Sequence, residues 1–471
     1  MANNIEKNNT NLILSKIPSV EEVLQSPPLQ PLIIKYSKKL FTPLVRKVVA
    51  EERKNILKGN SPPTINEICR QVKISFHREY QSLLQRVING TGVILHTNLG
   101  RAPFSKEIFS ELELSLSDYC NLEYNLIEGK REERGAGVEK LLTILSSAEK
   151  ALIVNNNSAA VFLILRILAK NKEVIISRGE LVQIGGGFRI PEILEQSGAH
   201  LREVGTTNQT FVKDYQEAIN ENTALLLKVH QSNFKMNGFT HTVKVKELKE
   251  LGKKFNLPVI MDLGSGVFLP TEKFGLQHEP MVQEIIKEGA DIVCFSTDKL
   301  LGGPQGGAIC GRKKYLAQIG NHPLFRTLRV DKVTLNILQT VLLYYLKDEA
   351  LEKIPIWKMI SCPYEKIISR SKLIIRNLKK ENIPAVLKKG ETTIGGGALP
   401  GQNLRTKLVC ITPPESVEDF ARRLRFSNPS LLGRKEKEYF ILDPRTFSPN
   451  YDRVVVNLIK TAFLKQENEG K

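Results

Sequence analysis

Residues 291–311, DIVCFSTDKLLGGPQGGAICG, put a lysine where its amine could act on a carbonyl. Ile292, Val293, Cys294 and Phe295 form an apolar run that predicts a buried strand. The run ends in Ser296-Thr297-Asp298-Lys299; a Gly-rich return over 302–307 and a second apolar run, Ala308-Ile309-Cys310, follow. An amine at the tip of a buried strand loses part of its hydration, which favours the neutral form that forms a Schiff base with an aldehyde. The glycines leave room for a flat ring close to the backbone. Read alone, the segment also fits a surface lysine in a glycine-rich loop. A second element about forty residues upstream narrows the choice: Leu257–Gly266 reads as a buried strand carrying one carboxylate, Asp262. Further upstream, Ala151–Val154 reads as a strand, 155–160 as a turn, and Val161–Lys170 as an amphipathic helix. The N–H groups at that helix start, around Asn157, Ser158 and Ala159, could hold a phosphate. Ser296 is a second candidate phosphate ligand, and a plain helix cap is the alternative for the Asn/Ser cluster.

A strand carrying an Asp, followed by a strand ending in a Lys, is the order used by pyridoxal phosphate enzymes of the aspartate aminotransferase-like type I fold. There the carboxylate faces the pyridinium nitrogen and keeps the ring an electron sink. With a phosphate-holding helix start placed before both, the sequence predicts pyridoxal 5'-phosphate as cofactor and an α/β type I transferase fold.

The rest of the chain must position these residues. At 471 residues it has room for two or three domains. Residues 1–76 read as a helical domain, with a capped helix at Ser19-Val20-Glu21-Glu22, apolar spacing from Pro31 to Leu57, and another start at Thr64. A linker helix is expected over 77–88, a large α/β catalytic domain over 89–347, and a small α+β domain over 348–471. No apolar run reaches membrane-spanning length, and the polar opening lacks a signal-like apolar stretch. Six scattered cysteines with no CxxC pair argue against a disulfide framework or a metal site and for a reducing, cytoplasmic setting.

The net charge of +18 exceeds what a small amino-acid substrate requires. Residues 1–88 carry 14 Lys/Arg against 7 Asp/Glu, and residues 349–471 carry 23 against 14. A basic excess at both ends suits a phosphate backbone, with solvated lysines as the alternative.

Longer stretches carry a closer likeness. Residues 89–103 (NGTGVILHTNLGRAP), Ser177–Leu181, Gly186–Pro191, Val204–Asn208, Val229–Phe234, Asp298–Gln305 and Ile394–Pro400 resemble the bacterial L-seryl-tRNA(Sec) selenium transferases, or selenocysteine synthases. The resemblance runs from about Arg86 to the end and is weakest after Leu432. It implies conversion of a serine esterified to selenocysteine tRNA into selenocysteinyl-tRNA, by β-elimination to dehydroalanyl-tRNA and addition of selenium from selenophosphate. Lys299 would hold the cofactor and take the α-proton, Asp262 would face the ring nitrogen, and Asp298 would be the proton donor to the departing hydroxyl. His230 and Ser232 would be ring-facing. Arg101, Arg326 and Arg329 match the family's anion-binding positions, with Thr206 and Thr207 at further active-site positions. Arg326 and Arg329, one helical turn apart, could point the same way. The N-terminal helices would grip the tRNA, and the chain would form a homo-oligomer, at least a dimer, extended to a decameric ring of dimers. Two other readings stay open: a pyridoxal phosphate lyase of a small amino acid or amino sugar acid, and a tRNA-binding protein with a disused cofactor site.

Overall fold

The apolar runs fold into two compact units in the computed structural model, which describes residues 14–80, 83–184 and 187–464. One unit comprises Met1–Arg86 with Phe426–Ser430, and the other Val87–Arg425 with Leu431–Lys471.

In the first unit, Ser19 and Glu22 cap helix α1 (Val20–Gln25) through a reciprocal pair of hydrogen bonds. The single helix expected from Pro31 to Leu57 is two helices, α2 (Gln30–Tyr36) and α3 (Lys38–Leu57). Ser37 between them has φ 106°, which stops the first, and its hydroxyl accepts from Lys39 N to start the second. Thr64 and Glu67 cap α4 (Ile65–Glu79) in the same reciprocal way. The linker helix expected over 77–88 does not form as a separate element among the described residues, because α4 continues to Glu79 and Val87–Asn89 is a strand. Phe41, Val45, Ile68, Val72 and Phe76 form the core, with the Phe41 and Phe76 rings stacked at 4.9 Å.

Beside short two-stranded pairs, the second unit holds two larger sheets. In chain order their strands are β1 (Val93–Leu95), β2 (Lys150–Val154), β3 (Glu173–Ser177), β4 (His200–Val204), β5 (Thr223–Val229) and β6 (Val259–Gly264). Then come β7 (Ile292–Ser296), β8 (Gly307–Gly311), β9 (Ala385–Gly395), β10 (Asn403–Ile411), β11 (Arg434–Glu436) and β12 (Tyr439–Leu442). The large sheet runs β2-β8-β7-β6-β5-β3-β4 and is parallel except for β8, which the Gly-rich return folds back against β7. Its middle strands are mainly apolar because both faces are covered: Val293 and Phe295 enter one core cluster, Ile292 and Cys294 the other. Helix α5 (Asn157–Leu168) follows β2 and begins at Asn157, four residues earlier than its apolar spacing suggests.

The small sheet runs β11-β12-β10-β9-β1. Strand β1, expected in the large domain over 89–347, pairs here with β9 (Val93 beside Thr393, Leu95 beside Gly395). Asp443 N donating to Gly90 O at 2.9 Å ties the same segment to the small sheet. Among the described residues no helix is long and apolar enough to cross a membrane.

Candidate active site

Parallel strands end together, so whatever follows β5, β6 and β7 gathers at one edge of the large sheet. Lys299 comes from the loop after β7, and that loop is pinned. Thr297 N donates to Gly306 O at 3.0 Å, Leu300 N to Ser265 O at 3.0 Å, and the Tyr345 hydroxyl to the carbonyls of Leu300 and Leu301. Trp357 Nε1 in turn donates to the Tyr345 hydroxyl at 2.7 Å. The lysine is 4% exposed. Burial, and then the Arg101 guanidinium, hold its amine below the usual lysine range against the pull of Asp262, Asp298 and Glu279. Gly397, at φ +85°, lies against it: a Cβ there would sit 2.4 Å from Lys299 Nζ.

Asp262 is buried on β6. Burial raises its carboxyl above the usual range, opposed by a hydrogen bond from Asn157 and by the positive field of Lys299. Asn157 Nδ2 donates to Asp262 Oδ1 at 2.8 Å, so this side chain, expected near the phosphate, holds the carboxylate instead. The helix start also differs from expectation in its free donors, because Asn156 Oδ1 already accepts from Ala159 N at 2.8 Å. The N–H groups of Asn157 and Ser158 have no partner among the described residues. Ser296, at the end of β7, and Ser232, after β5, are both buried. His230 N donates to Asp262 O at 2.9 Å, which sets the imidazole beside the carboxylate strand.

Two acidic residues that sequence reasoning missed support this edge. Glu180 is buried and accepts from Lys228 Nζ at 2.6 Å and Val229 N at 2.9 Å, fixing the end of β5 just before His230. Glu279 is 2% exposed, with Oε1 3.7 Å from His230 Nδ1. Glu180 lay inside a quoted motif, but Glu279, between His278 and Pro280, carried no local signal.

Arg101 and Asp298 are brought together, Nη1 to Oδ2 at 2.7 Å. The arginine expected to take an anion and the carboxyl expected to give a proton are thus paired with each other. Arg326 and Arg329 do not share a helix: α6 (Pro323–Thr327) ends between them, and Arg329 lies 3.6 Å from Glu123. Both line one cavity of about 510 Å³ with Arg131, Arg134 and Lys150, and neither Lys299 nor Asp262 borders it. Thr206 and Thr207 sit on an exposed turn, where the Thr206 hydroxyl donates to Gln209 O and accepts from Gln209 N. That turn presses on the Glu180 segment so closely that a Cβ on Gly179 would meet Thr207 O at 2.5 Å.

The residues around Lys299 fit pyridoxal phosphate. Asn157 Oδ1, His230 Nδ1, Ser265 Oγ and Glu279 Oε1, all on residues next to Asp262 or Lys299, are buried without a hydrogen-bond partner. Unpaired buried polar atoms are costly, and a cluster of them marks space for a polar ligand. The donor set is an amine for an aldehyde, a buried carboxylate for a cationic ring nitrogen, and open N–H groups at a helix start for a phosphate.

Comparison with known proteins agrees. Residues 87–448 match the family described as L-seryl-tRNA selenium transferase, and residues 14–53 match the selenocysteine synthase N-terminal family. The L-seryl-tRNA(Sec) selenium transferase of Carboxydothermus hydrogenoformans is 47% identical over 92% of this chain and 94% of its own length. Those of Alkaliphilus oremlandii and Geobacter sulfurreducens are 42% and 40% identical, each over 95% of this chain and 98% and 99% of their own. Among solved structures, D-glucosaminate-6-phosphate ammonia-lyase aligns with a TM-score of 0.54 at 20% identity, covering 82% of this chain and 97% of its own. That likeness concerns the fold.

Proposed function

The chain belongs to the L-seryl-tRNA selenium transferase family, and from that premise we propose how it turns seryl-tRNA(Sec) into selenocysteinyl-tRNA(Sec). It is a pyridoxal phosphate enzyme. When bound, the cofactor supplies an electrophilic carbon for amines and a ring that withdraws electrons from the substrate's α-carbon. The observation that carries the reading is a dehydrated Lys299 amine whose charged neighbours include Asp262, within the region that matches the family. Lys299 holds the cofactor and serves as the base for the α-proton; burial lowers its amine's proton affinity and so favours the neutral form. Asp262, oriented by Asn157, keeps the ring nitrogen protonated.

Loss of the β-hydroxyl gives dehydroalanyl-tRNA and needs a proton. Asp298 is the candidate donor, and to act it must exchange its bond with Arg101 for one to the substrate. Selenophosphate is the selenium source in this reading, and Arg101, Arg326 and Arg329 are its anion ligands. Arg326 and Arg329 share their cavity with Arg131, Arg134 and Lys150, cations that suit an anion, and with Glu123, Glu132, Glu133 and Glu139, which oppose one. The N-terminal helices bind the tRNA, and the match of residues 14–53 supports this. Exposed Tyr119, Leu126 and Ile127 fit burial against a second copy in a dimer or a decameric ring, working in the cytoplasm. The alternative of a small-molecule lyase is not favoured, because the match includes the N-terminal helical segment as well as the core.

The test is turnover of seryl-tRNA(Sec) with selenophosphate by the purified protein. Selenocysteinyl-tRNA should form. An Arg326→Ala/Arg329→Ala variant should still eliminate hydroxide but accumulate dehydroalanyl-tRNA, trapped with an external thiol. An enzyme that deaminates free amino acids and ignores the tRNA would overturn the reading.

A further inference from the structure

The basic excess of residues 349–471 has no part in the chemistry above. Helix α7 (Tyr364–Lys380) carries six of its cations, among them the four Lys372, Arg376, Lys379 and Lys380. Their spacing of i, i+4, i+7 and i+8 puts them on one helix face. All four are exposed, and none forms an ion pair among the described residues. In the N-terminal unit, by contrast, Lys38 and Lys47 are paired with Glu21 and Glu79. The helix dipole favours Lys379 and Lys380 in the last turn, but its effect fades before Lys372 and Arg376.

Beside this face runs β9. Its one edge pairs with β10, while β1 covers the other only at Thr393 and Gly395. Over Ala385–Glu391 that edge has no strand partner among the described residues, which leaves its alternating main-chain N–H and C=O groups outside the ladder. Between helix and strand lies a groove of about 610 Å³, lined by the four cations and by β9 at Ala385–Leu387. The cations span about 12 Å along the helix axis, three to four nucleotide rises of about 3.4 Å.

We propose that this groove is a phosphate-backbone contact for the tRNA substrate, a second RNA surface formed by a different part of the chain from the N-terminal helices. It rests on the tRNA reading above and adds a place to it. Exposed positive charge without acidic partners suits an extended polyanion and gives no base-specific readout. The groove therefore contributes affinity and salt dependence rather than the choice of tRNA.

The test uses the full-length protein carrying Lys372→Gln, Arg376→Gln, Lys379→Gln and Lys380→Gln together, with tRNA(Sec) binding measured from about 50 to 200 mM salt. Glutamine is a good helix former, so α7 should persist. Affinity should fall at least about tenfold, and the slope of log K against log salt should shrink by about 2 to 3. Cofactor attachment and oligomer mass should not change. A control with Lys372→Arg, Lys379→Arg and Lys380→Arg should bind like the parent. Unchanged affinity and slope in the glutamine variant, with a parent that binds tRNA, would overturn the proposal. So would a changed oligomer mass, which would assign the groove to contact between copies. A parent that binds no tRNA would instead sink the functional reading itself.

Discussion

The Lys299 pocket and the α7 groove both use lysine, in opposite ways. In the pocket the amine is stripped of water, hemmed in by carboxylates and held by a pinned loop. In the groove the cations are hydrated and unpaired at the end of mobile side chains. Burial turns an amine into a reagent, because the charged form loses its solvation. Exposure leaves it a charge, felt at a distance and screened by salt. The cavity of Arg326 and Arg329 lies between the two, part buried and mixed in sign.

Changes in the pocket should therefore abolish or cripple chemistry, with the largest effect at the amine itself. Lys299→Ala should remove turnover and the borohydride-trapped cofactor adduct, read by mass spectrometry; an adduct on another lysine would end the assignment. Asp262→Asn should keep the adduct but lower the rate by about 10³-fold, because a neutral amide cannot hold a protonated ring nitrogen. Near-normal α-proton exchange in that variant would remove Asp262 from the mechanism. Gly397→Ala separates positioning from folding. Its positive φ costs an alanine about 1–2 kcal/mol, while a methyl 2.4 Å from Nζ must displace the amine. A small fall in melting temperature with a loss of about 10²-fold in kcat is expected; equal losses in both would mean that the glycine serves the fold alone.

The smallest effect belongs to the intermediate region. Glu139, on the wall of the mixed-charge cavity, has its carboxyl raised by burial from 4.5 to about 8, with Lys150 opposing and Glu133 assisting. The folded protein thus keeps a proton that the unfolded chain releases, and stability falls as pH rises from about 4.5 to about 8. Glu139→Gln should remove that part of the slope, about 1–3 kcal/mol between the two limits. Melting curves at about pH 5.5 and 8.5 would check it; the same slope in both proteins would show that the carboxyl is ionised throughout.

The strand bearing Asp262 and the strand leading to Lys299 were legible because a strand covered on both faces is written as a mainly apolar run ended by small or polar residues. The helix after β2 was legible for the same reason, but its capping was not: Asn156 and Asn157 read alike as polar turn residues, yet one caps the helix and the other reaches 105 residues along the chain to Asp262. The pairing of Arg101 with Asp298 and the approach of Glu279 to within 3.7 Å of His230 depend on which loops meet at the sheet edge, and spacing along the chain says nothing of that. Helical spacing misled at Arg329, where α6 stops two residues short, and at Ser37, where one backbone angle divides a continuous apolar pattern.

The pairing of β1 with β9 also sets a timetable for biosynthesis. Lys299 and Asp262 leave the ribosome with their strands complete, but Gly397, which lies over the amine, is translated about a hundred residues later. The partner that fixes its strand, β1, has waited since residue 93. A nascent chain halted before β9 already carries Lys299, Asp262 and Asn157 but lacks the glycine that lies against the amine. The surroundings of the amine are therefore completed late, when the segment after β9 has been made and β1 has found its partner.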